Sequence, residues 1–411
     1  MVRVLPTGPE RRTWSRLVAN SIVVERLKLI KEVTMDLSLT ETQALLKDAT
    51  TSFMETELPK QRVREVDESP TGFNQDLWQK MSDLGWVGMG VPEEYGGGGN
   101  SLTDIAVVQE VLGYYACSSP FLDSGVLSAT AILEAGSDAQ KSAVLPALAK
   151  GQQICAFAFT EPEYGWGSSA VQLKATQSGS NYSLSGTKMF VPWAHVADQL
   201  LVVARTSGDS DEGITLFLVD KNAKGLSVRL HSGWIGDKVC QVDFDNVEVS
   251  ADNVVGQVGG AWPAISAAID RATALLAIYM AGGAQKAYEM CRDYSTERIA
   301  FGVPIGTFQR VQDHIIVALT EAEAAKWTSY EALWRVDSGR DDAALGVSMA
   351  KAVASDGFSK ACDASHNVHA GVGVDLDFGL THYTVRARTF QHYLGDATFH
   401  RKRMASLMEL S

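Results

Sequence analysis

"AFAFTEPEYGWGSS", residues 156–169, stands where the chain changes its hydrophobic period. Before it, apolar residues recur at helical spacing. After it, they alternate with polar residues, the period of a half-buried strand. Upstream, "TETQALLKDATTSFMETEL", "NQDLWQKMSDLGW", "LTDIAVVQEVLGYYA" and "DAQKSAVLPALAKGQ" predict helices, and "VPEEYGGGGNS" predicts a loop. Downstream, "VQLKATQSGSNYSLSGTKMFV", with a turn at Gly179, and "QLLVVART", "GITLFLVD", "GLSVRLH" and "QVDFDNVEV" predict short strands. Helical period returns with Pro263. It runs through one long helix to about residue 299, a second closed by Gly339, a third over residues 341–373 and a fourth over about residues 381–410. The expected fold is α+β and mainly helical: an N-terminal helical domain (35–154), a central antiparallel β-domain (155–262) and a C-terminal four-helix bundle (263–411). Residues 1–34 are rich in Arg and Lys with interleaved apolar residues. They read as an extension outside these domains: an amphipathic or transit-like helix, or the product of an upstream start, with Met35 the natural first residue.

A chain of 411 residues can bury an ample core. Its 45% hydrophobic and 21% charged content fits a soluble globular protein. A formal charge of −13 argues against nucleic acid as a main partner, because phosphate binding needs a basic face. Cys117, Cys155, Cys240, Cys291 and Cys362 are scattered, with no C-x-x-C. They predict reduced, mostly buried thiols in a cytoplasmic protein. The apolar run "ALLAIYMAGGA" is too short for a membrane span.

Most motifs lead nowhere. "GGGG", residues 96–99, lacks the lysine and the preceding strand of a phosphate loop, and nothing predicts a Rossmann fold. His366 and His369 stand three apart without a visible third ligand, so a surface or core pair is expected and no metal. No G-x-S-x-G elbow exists. Three elements remain. The first is residues 156–169, whose aromatic and hydroxyl residues alone fit a domain-crossing loop. The second is "GTKMFVPWAHVAD", residues 186–198. The third is "ERIAFGVPIGTFQ", residues 297–309, with an Arg, a Phe and a Gln around a Gly-Pro turn. Taken alone, Arg298 is a surface cation.

In their order, "PEEYGG", "LPALAKGQ" leading into "AFAFTEPE", "LSGTKMFV", "DFDNVEV" followed by "NVVG", and "RIAFGVPIGTFQ" resemble the acyl-CoA dehydrogenase family from Met35 onward. The resemblance implies FAD as cofactor, an acyl-CoA substrate, electron-transfer flavoprotein as acceptor, and an oligomer. Phe157, Phe159 and Thr160 would line the flavin. Ser168 would offer its hydroxyl to the phosphates, although Trp166 and Gly167 alter that motif. Phe190 would cover one flavin face. Arg298 and Phe301 would cross a subunit interface to a neighbour's FAD, where a planar cation suits the pyrophosphate. Gln309 would lie near the adenine, and Asn367, Gly371 and Gly373 would let backbone approach the cofactor. In such chemistry a glutamate removes the α-proton while the β-hydride passes to the flavin. Hydrogen bonds to the thioester carbonyl stabilise the developing charge.

The sequence departs from the family at the base. In "FQHYLGDATFHR", residues 390–401, the usual Tyr-Glu-Gly-Thr is Tyr393-Leu394-Gly395-Asp396. The other helix that can carry the base has Ala272 and Thr273, and Pro192 replaces a hydroxyl residue expected near flavin N5. Four readings stay open. The chain is the base-lacking subunit of a heteromer of two related chains, as "GVGVDLDFGLTHY" resembles such subunits of bacterial steroid and side-chain degradation. It is a competent homomeric dehydrogenase with a displaced base, Asp396 or Asp270. It is a flavin monooxygenase on the same fold. Or it is a flavin-free relic, against which Arg298, Phe301 and the TEP loop argue. On a continuous helix Asp396 would point about 200° from position 394. Its plainer role is a cap or an adenine-side contact, and that of Asp270 an ordinary helix charge.

Overall fold

The computed structural model describes residues 35–163, 165–232 and 238–410. The chain divides into two units, Met1–Ser38 and Leu39–Ser411, and the described helices and strands all belong to the second. The expected N-terminal extension, 1–34, lies outside the described residues.

The helical first part runs α1 (Glu41–Glu57), α2 (Lys60–Glu68), α3 (Gln75–Asp83) and α4 (Leu102–Tyr114). A π-helical segment (Phe121–Ser128) comes next, then α5 (Ala129–Ala135) and α6 (Asp138–Ala149). Capping boxes at Thr40/Gln43, Ser101/Asp104 and Ser137/Gln140 start α1, α4 and α6. Every residue of the π-helical segment is buried, Asp123 included. Such segments wind wider than an α-helix and re-aim side chains at functional sites.

The β-domain is one eight-stranded sheet: β1 (Cys155–Ala158), β2 (Lys174–Ser178), β3 (Asn181–Pro192), β4 (Gln199–Arg205), β5 (Ile214–Asp220), β6 (Leu226–Ser232), β7 (Lys238–Ser250) and β8 (Val254–Val255). The order is β6-β7-β3-β2-β4-β5-β8, with β1 on β4. The sheet is mainly antiparallel, but β1 runs parallel to β4, and Lys174 of β2 pairs in parallel with Arg205 of β4. A parallel neighbour needs a long crossover, which the β2–β3 hairpin supplies between β1 and β4. Gly179 turns that hairpin at φ 63°.

The last part holds α7 (Trp262–Glu297), a two-stranded hairpin β9 (Ile299–Ala300) and β10 (Val303–Pro304), α8 (Gln309–Asp337) and α9 (Ala343–His369). α7 packs closely on α4. A Cβ at Gly113 would fall 1.9 Å from the Tyr279 carbonyl oxygen, so only glycine permits the approach. By length and composition α7 could cross a membrane, yet 72% of its apolar window is buried inside the protein, as in a core helix. The expected fourth helix is two: α10 (Leu380–Phe390) and α11 (Ala397–Leu407). Leu394 (φ 57°) and Gly395 (φ 96°) are left-handed, so the helix cannot continue through them. Asp396 then caps α11, accepting from the Phe399 N–H at 2.7 Å.

Candidate active site

A cavity of about 440 Å³ opens between the β-domain and the helices. Thr160, Trp166, Phe190, Pro192 and Trp193 form one wall. Asp123, Leu276, Tyr279, Phe390 and Tyr393 form the facing one.

The β-wall is fixed by a buried ion pair. Lys188 Nζ donates to Glu161 Oε1 at 2.6 Å and to the Phe159 carbonyl at 2.8 Å. Glu161 also accepts the N–H groups of Gln172 and Leu173 at 2.9–3.1 Å. Burial pulls the Lys188 ammonium down to about 8, although Glu161 opposes it. The Met189 N–H donates to the Thr160 carbonyl at 2.8 Å, stitching the TEP loop to β3. There the β3–β7 register slips between Lys188 and Val191. This bulge turns Phe190 to φ 54° and leaves it half-exposed at the cavity. Phe157 and Phe159 lie parallel at 6.2 Å, Phe159 and Trp166 at 5.3 Å, and Trp166 meets Tyr393 edge-on at 5.6 Å. An aromatic column thus runs from β1 to the facing wall.

On that wall Leu394 is fully buried in its left-handed conformation. Such backbone costs roughly 1–2 kcal/mol outside glycine and persists only where the surroundings impose it. They do so here. His400 Nε2 meets the Leu394 carbonyl at 2.9 Å. Lys351 Nζ donates to the carbonyls of Gly395 (2.8 Å), Phe390 (3.0 Å) and Gln391 (3.3 Å). Burial draws Lys351 down to about 7 against the pull of Asp396, and burial with Lys351 nearby holds His400 near 3. Ala272 and Thr273 are fully buried on α7, and neither carries an acid.

The two candidate displaced bases are corrected. Asp396 caps α11, and Asp270 is clamped by Arg403 at 2.6 and 2.7 Å. Neither lines the cavity. The Ser168 hydroxyl donates to Asp211, and its carbonyl accepts from Arg205 at 2.7 Å.

Of the other expected residues, Thr160 and Phe190 line the cavity, while Phe157 and Phe159 are buried beside it. Arg298, Phe301, Gln309, Asn367 and Gly371 are exposed and do not line it. Arg298 and Phe301 sit on the β9–β10 hairpin, where Phe301 is 97% exposed. Tyr294, at the end of α7, packs on His369 at 4.6 Å, which brings the hairpin and the 367–373 turn to one end of the molecule. His366 Nε2 meets Thr384 Oγ1 at 2.8 Å and His369 Nδ1 meets the Ser365 carbonyl at 2.8 Å.

Asp123 is absent from the residues that the sequence singles out. It is 4% exposed, lines the cavity and accepts from the Tyr393 hydroxyl, and the neighbouring Trp193 indole favours its charged form. Burial raises its carboxyl to about 6 against both. One sequence signal could have found it: it is the lone charged residue between Glu110 and Glu134. The other carboxylate on the cavity wall, Asp67, is held by Arg386 at 2.6 and 2.7 Å. Burial alone would raise Asp67, but Arg386 and His382 bring it to about 2.

Residues 40–152, 156–247 and 259–408 match the N-terminal, middle and C-terminal domains of acyl-CoA dehydrogenase. An acryloyl-CoA reductase (NADH) of Anaerotignum propionicum is 30% identical over 91% of this chain and 97% of its own. The caffeyl-CoA reductase-Etf complex subunit CarC of Acetobacterium woodii is 28% identical, over 86% of this chain and 95% of its own. Among solved structures, the ChsE4-ChsE5 complex from Mycobacterium tuberculosis superposes with TM-score 0.83 at 26% identity, covering 92% of this chain and 100% of that one. The chain belongs to the acyl-CoA dehydrogenase family and is an oxidoreductase. On the β-domain side the cavity lining is aromatic, with Trp166, Phe190 and Trp193, and Pro192 brings no donor to it.

Proposed function

We propose that this chain acts on the α and β carbons of an acyl-CoA thioester in the cavity, with no carboxylate at the family's base position, as one subunit of an assembly with a related chain. The observation that carries the reading is Leu394, an apolar, fully buried side chain directly after the cavity-lining Tyr393. Its backbone N–H has no backbone acceptor among the described residues and would serve as a donor to the thioester carbonyl if the wall opens to it. Trp166, Phe190 and Trp193 exclude water and hold the acyl group against the ring. FAD, when bound, supplies the two-electron acceptor or donor for the α,β bond. Thr160 and Phe190 would hold it within this chain.

The hairpin supports the partner. Ile299, Phe301, Val303 and Phe308 are all exposed around Arg298, an apolar patch of the kind that marks an interaction site. Arg298 and Phe301 would complete a neighbour's cofactor site, with Gln309, Asn367 and Gly371 beside them. A heteromeric relative, ChsE4-ChsE5, supports a second related chain, and CarC supports electron-transfer flavoprotein as redox partner. Five free, buried thiols fit a cytoplasmic location. A fatty or steroid side-chain acyl group fits the family reading.

A second reading, a competent chain with its base displaced, is favoured by Asp123. One experiment separates the two. Flavin is counted on the protein purified alone, and acyl-CoAs are added without oxygen. Bleaching places a working base in this chain. Unresponsive flavin that bleaches only after a related chain is added supports the subunit reading. Failure to bind FAD and acyl-CoA in either state would remove both.

A further inference from the structure

We propose that Asp123, positioned by Tyr393 and Trp193, is the proton-transferring carboxylate of this cavity, a role displaced from position 394. The inference rests on the second reading above, a competent acyl-CoA-binding chain with its base displaced.

Elimination and geometry carry it. Among the described residues, Asp67 and Asp123 are the only carboxylates on the cavity wall. Both oxygens of Asp67 are held by Arg386, so it has no reason to take a proton at working pH. Asp123 is different. Its donor is a phenol, the Trp193 indole beside it is also neutral, and no cation among the described residues pairs with it. A carboxylate taken out of water without a cation is costly and is not what a structural role selects. Its oxygens can accept about four hydrogen bonds, so Tyr393, with Trp193 and its own backbone N–H nearby, leaves a lone pair for substrate. The π-helical winding of residues 121–128 aims this one charge of an apolar segment into the cavity. Tyr393 links the two positions. It immediately precedes the base position, and its hydroxyl ties the wall at Leu394 to Asp123 across 270 residues of sequence.

The step balances. The α C–H bond of the thioester breaks and its proton forms an O–H bond on Asp123. The pair left at the α-carbon becomes the α,β double bond as the hydride leaves the β-carbon with its own electron pair, which FAD, when bound, would accept. Run in the reducing direction, protonated Asp123 returns its proton to the α-carbon. The titratable groups facing this carboxylate across the cavity are few. Asp67 and Arg386 neutralise one another, Cys117 is pushed up to about 12 by burial, the Tyr279 phenol is raised by burial, and Lys238, Arg388 and His392 stand at the rim.

The test uses acetyl-CoA and phenylacetyl-CoA, which have no β-hydrogen and cannot be oxidised. The FAD-loaded protein is placed in D₂O, binding of each thioester is measured, and deuterium entry at the α-carbon is followed by NMR. Asp123→Asn should bind the thioesters yet exchange about 100-fold more slowly or less, the lower range of general-base effects. The wild-type exchange should rise with pH through about 6, the range to which burial lifts Asp123. Tyr393→Phe removes a hydrogen bond that favours the carboxylate, so its midpoint should move up. Should Asp123→Asn fail to fold, Asp123→Glu carries the test: a changed rate and midpoint support the proposal, and an unchanged profile overturns it. Exchange in Asp123→Asn within about twofold of wild type, or wild type that binds thioester without exchange, also overturns it and leaves the acyl-CoA reading standing. A wild type that holds FAD but binds neither thioester removes the acyl-CoA reading and this proposal with it.

Discussion

The loop after β1 and the hairpin after α7 are built on opposite plans. In the loop the buried polar groups named above are answered from within: Glu161 by Lys188 and two backbone N–H groups, the Phe159 and Thr160 carbonyls by Lys188 and Met189. In the hairpin, Phe301 is 97% exposed at φ 52° and Arg298 faces solvent. A wall that must hold a rigid ring gains from being finished before the ligand arrives, since ordering it at binding would cost affinity. The hairpin, proposed above to meet a second protein, leaves these groups unsatisfied within its own chain.

Breaking the loop should therefore show first in stability. Glu161→Gln leaves Lys188 buried without its anion, and unfolding in denaturant should lose about 3–5 kcal/mol. A loss below about 1 kcal/mol would show that the ion pair is not what sets the wall. The facing wall should respond in the opposite sense. Asp123 is raised in the folded state from 3.8 to about 6, so the native protein binds more protons than the unfolded chain between those values. Its stability then falls as pH rises through that window. Asp123→Asn has no such titration. It should be more stable than wild type by about 1–3 kcal/mol above pH 6, and the advantage should shrink toward pH 4. Unfolding curves at the two ends of the window check it. An Asn variant destabilised at both would mark Asp123 as a structural group.

The two plans differ in legibility for the same reason. The β-domain can be read because the period changes at residue 155 and the turn residues mark its hairpins. The TEP loop follows that change directly. The walls of the cavity are less legible. Nothing in a leucine announces a left-handed backbone, so Leu394 hides the break between α10 and α11, and the sequence pattern sets Asp396 on a helix that is not there. Asp123 stays hidden because its partners, Tyr393 and Trp193, lie far away in sequence, and because π-winding does not follow the 3.6-residue pattern. Ser168 is assigned by motif, while the acceptor of its hydrogen, Asp211, stands 43 residues on. Long-range hydrogen bonds, and not local pattern, decide which polar groups remain free.

The hairpin should behave as a surface. Arg298→Ala and Phe301→Ala should change monomer stability by no more than about 0.5 kcal/mol. FAD retention or subunit association should weaken about tenfold, or about 1.4 kcal/mol, read by flavin content and sedimentation. A stability loss as large as that of Glu161→Gln would erase the contrast between the two regions.

Asp396 gives the smallest effect and sharpens the comparison most narrowly, because it sits between the walls and belongs to neither. As the N-cap of α11 it satisfies the Phe399 N–H. Asp396→Ala should cost about 1 kcal/mol, and Asp396→Ser, another good cap, should recover most of it. Neither should alter deuterium exchange at the α-carbon, because the side chain is spent on the helix end and lines no part of the cavity. If Asp396→Ser keeps the stability but stops the exchange, the proton is carried from the end of α11, and Asp123 is left with only its wall to hold.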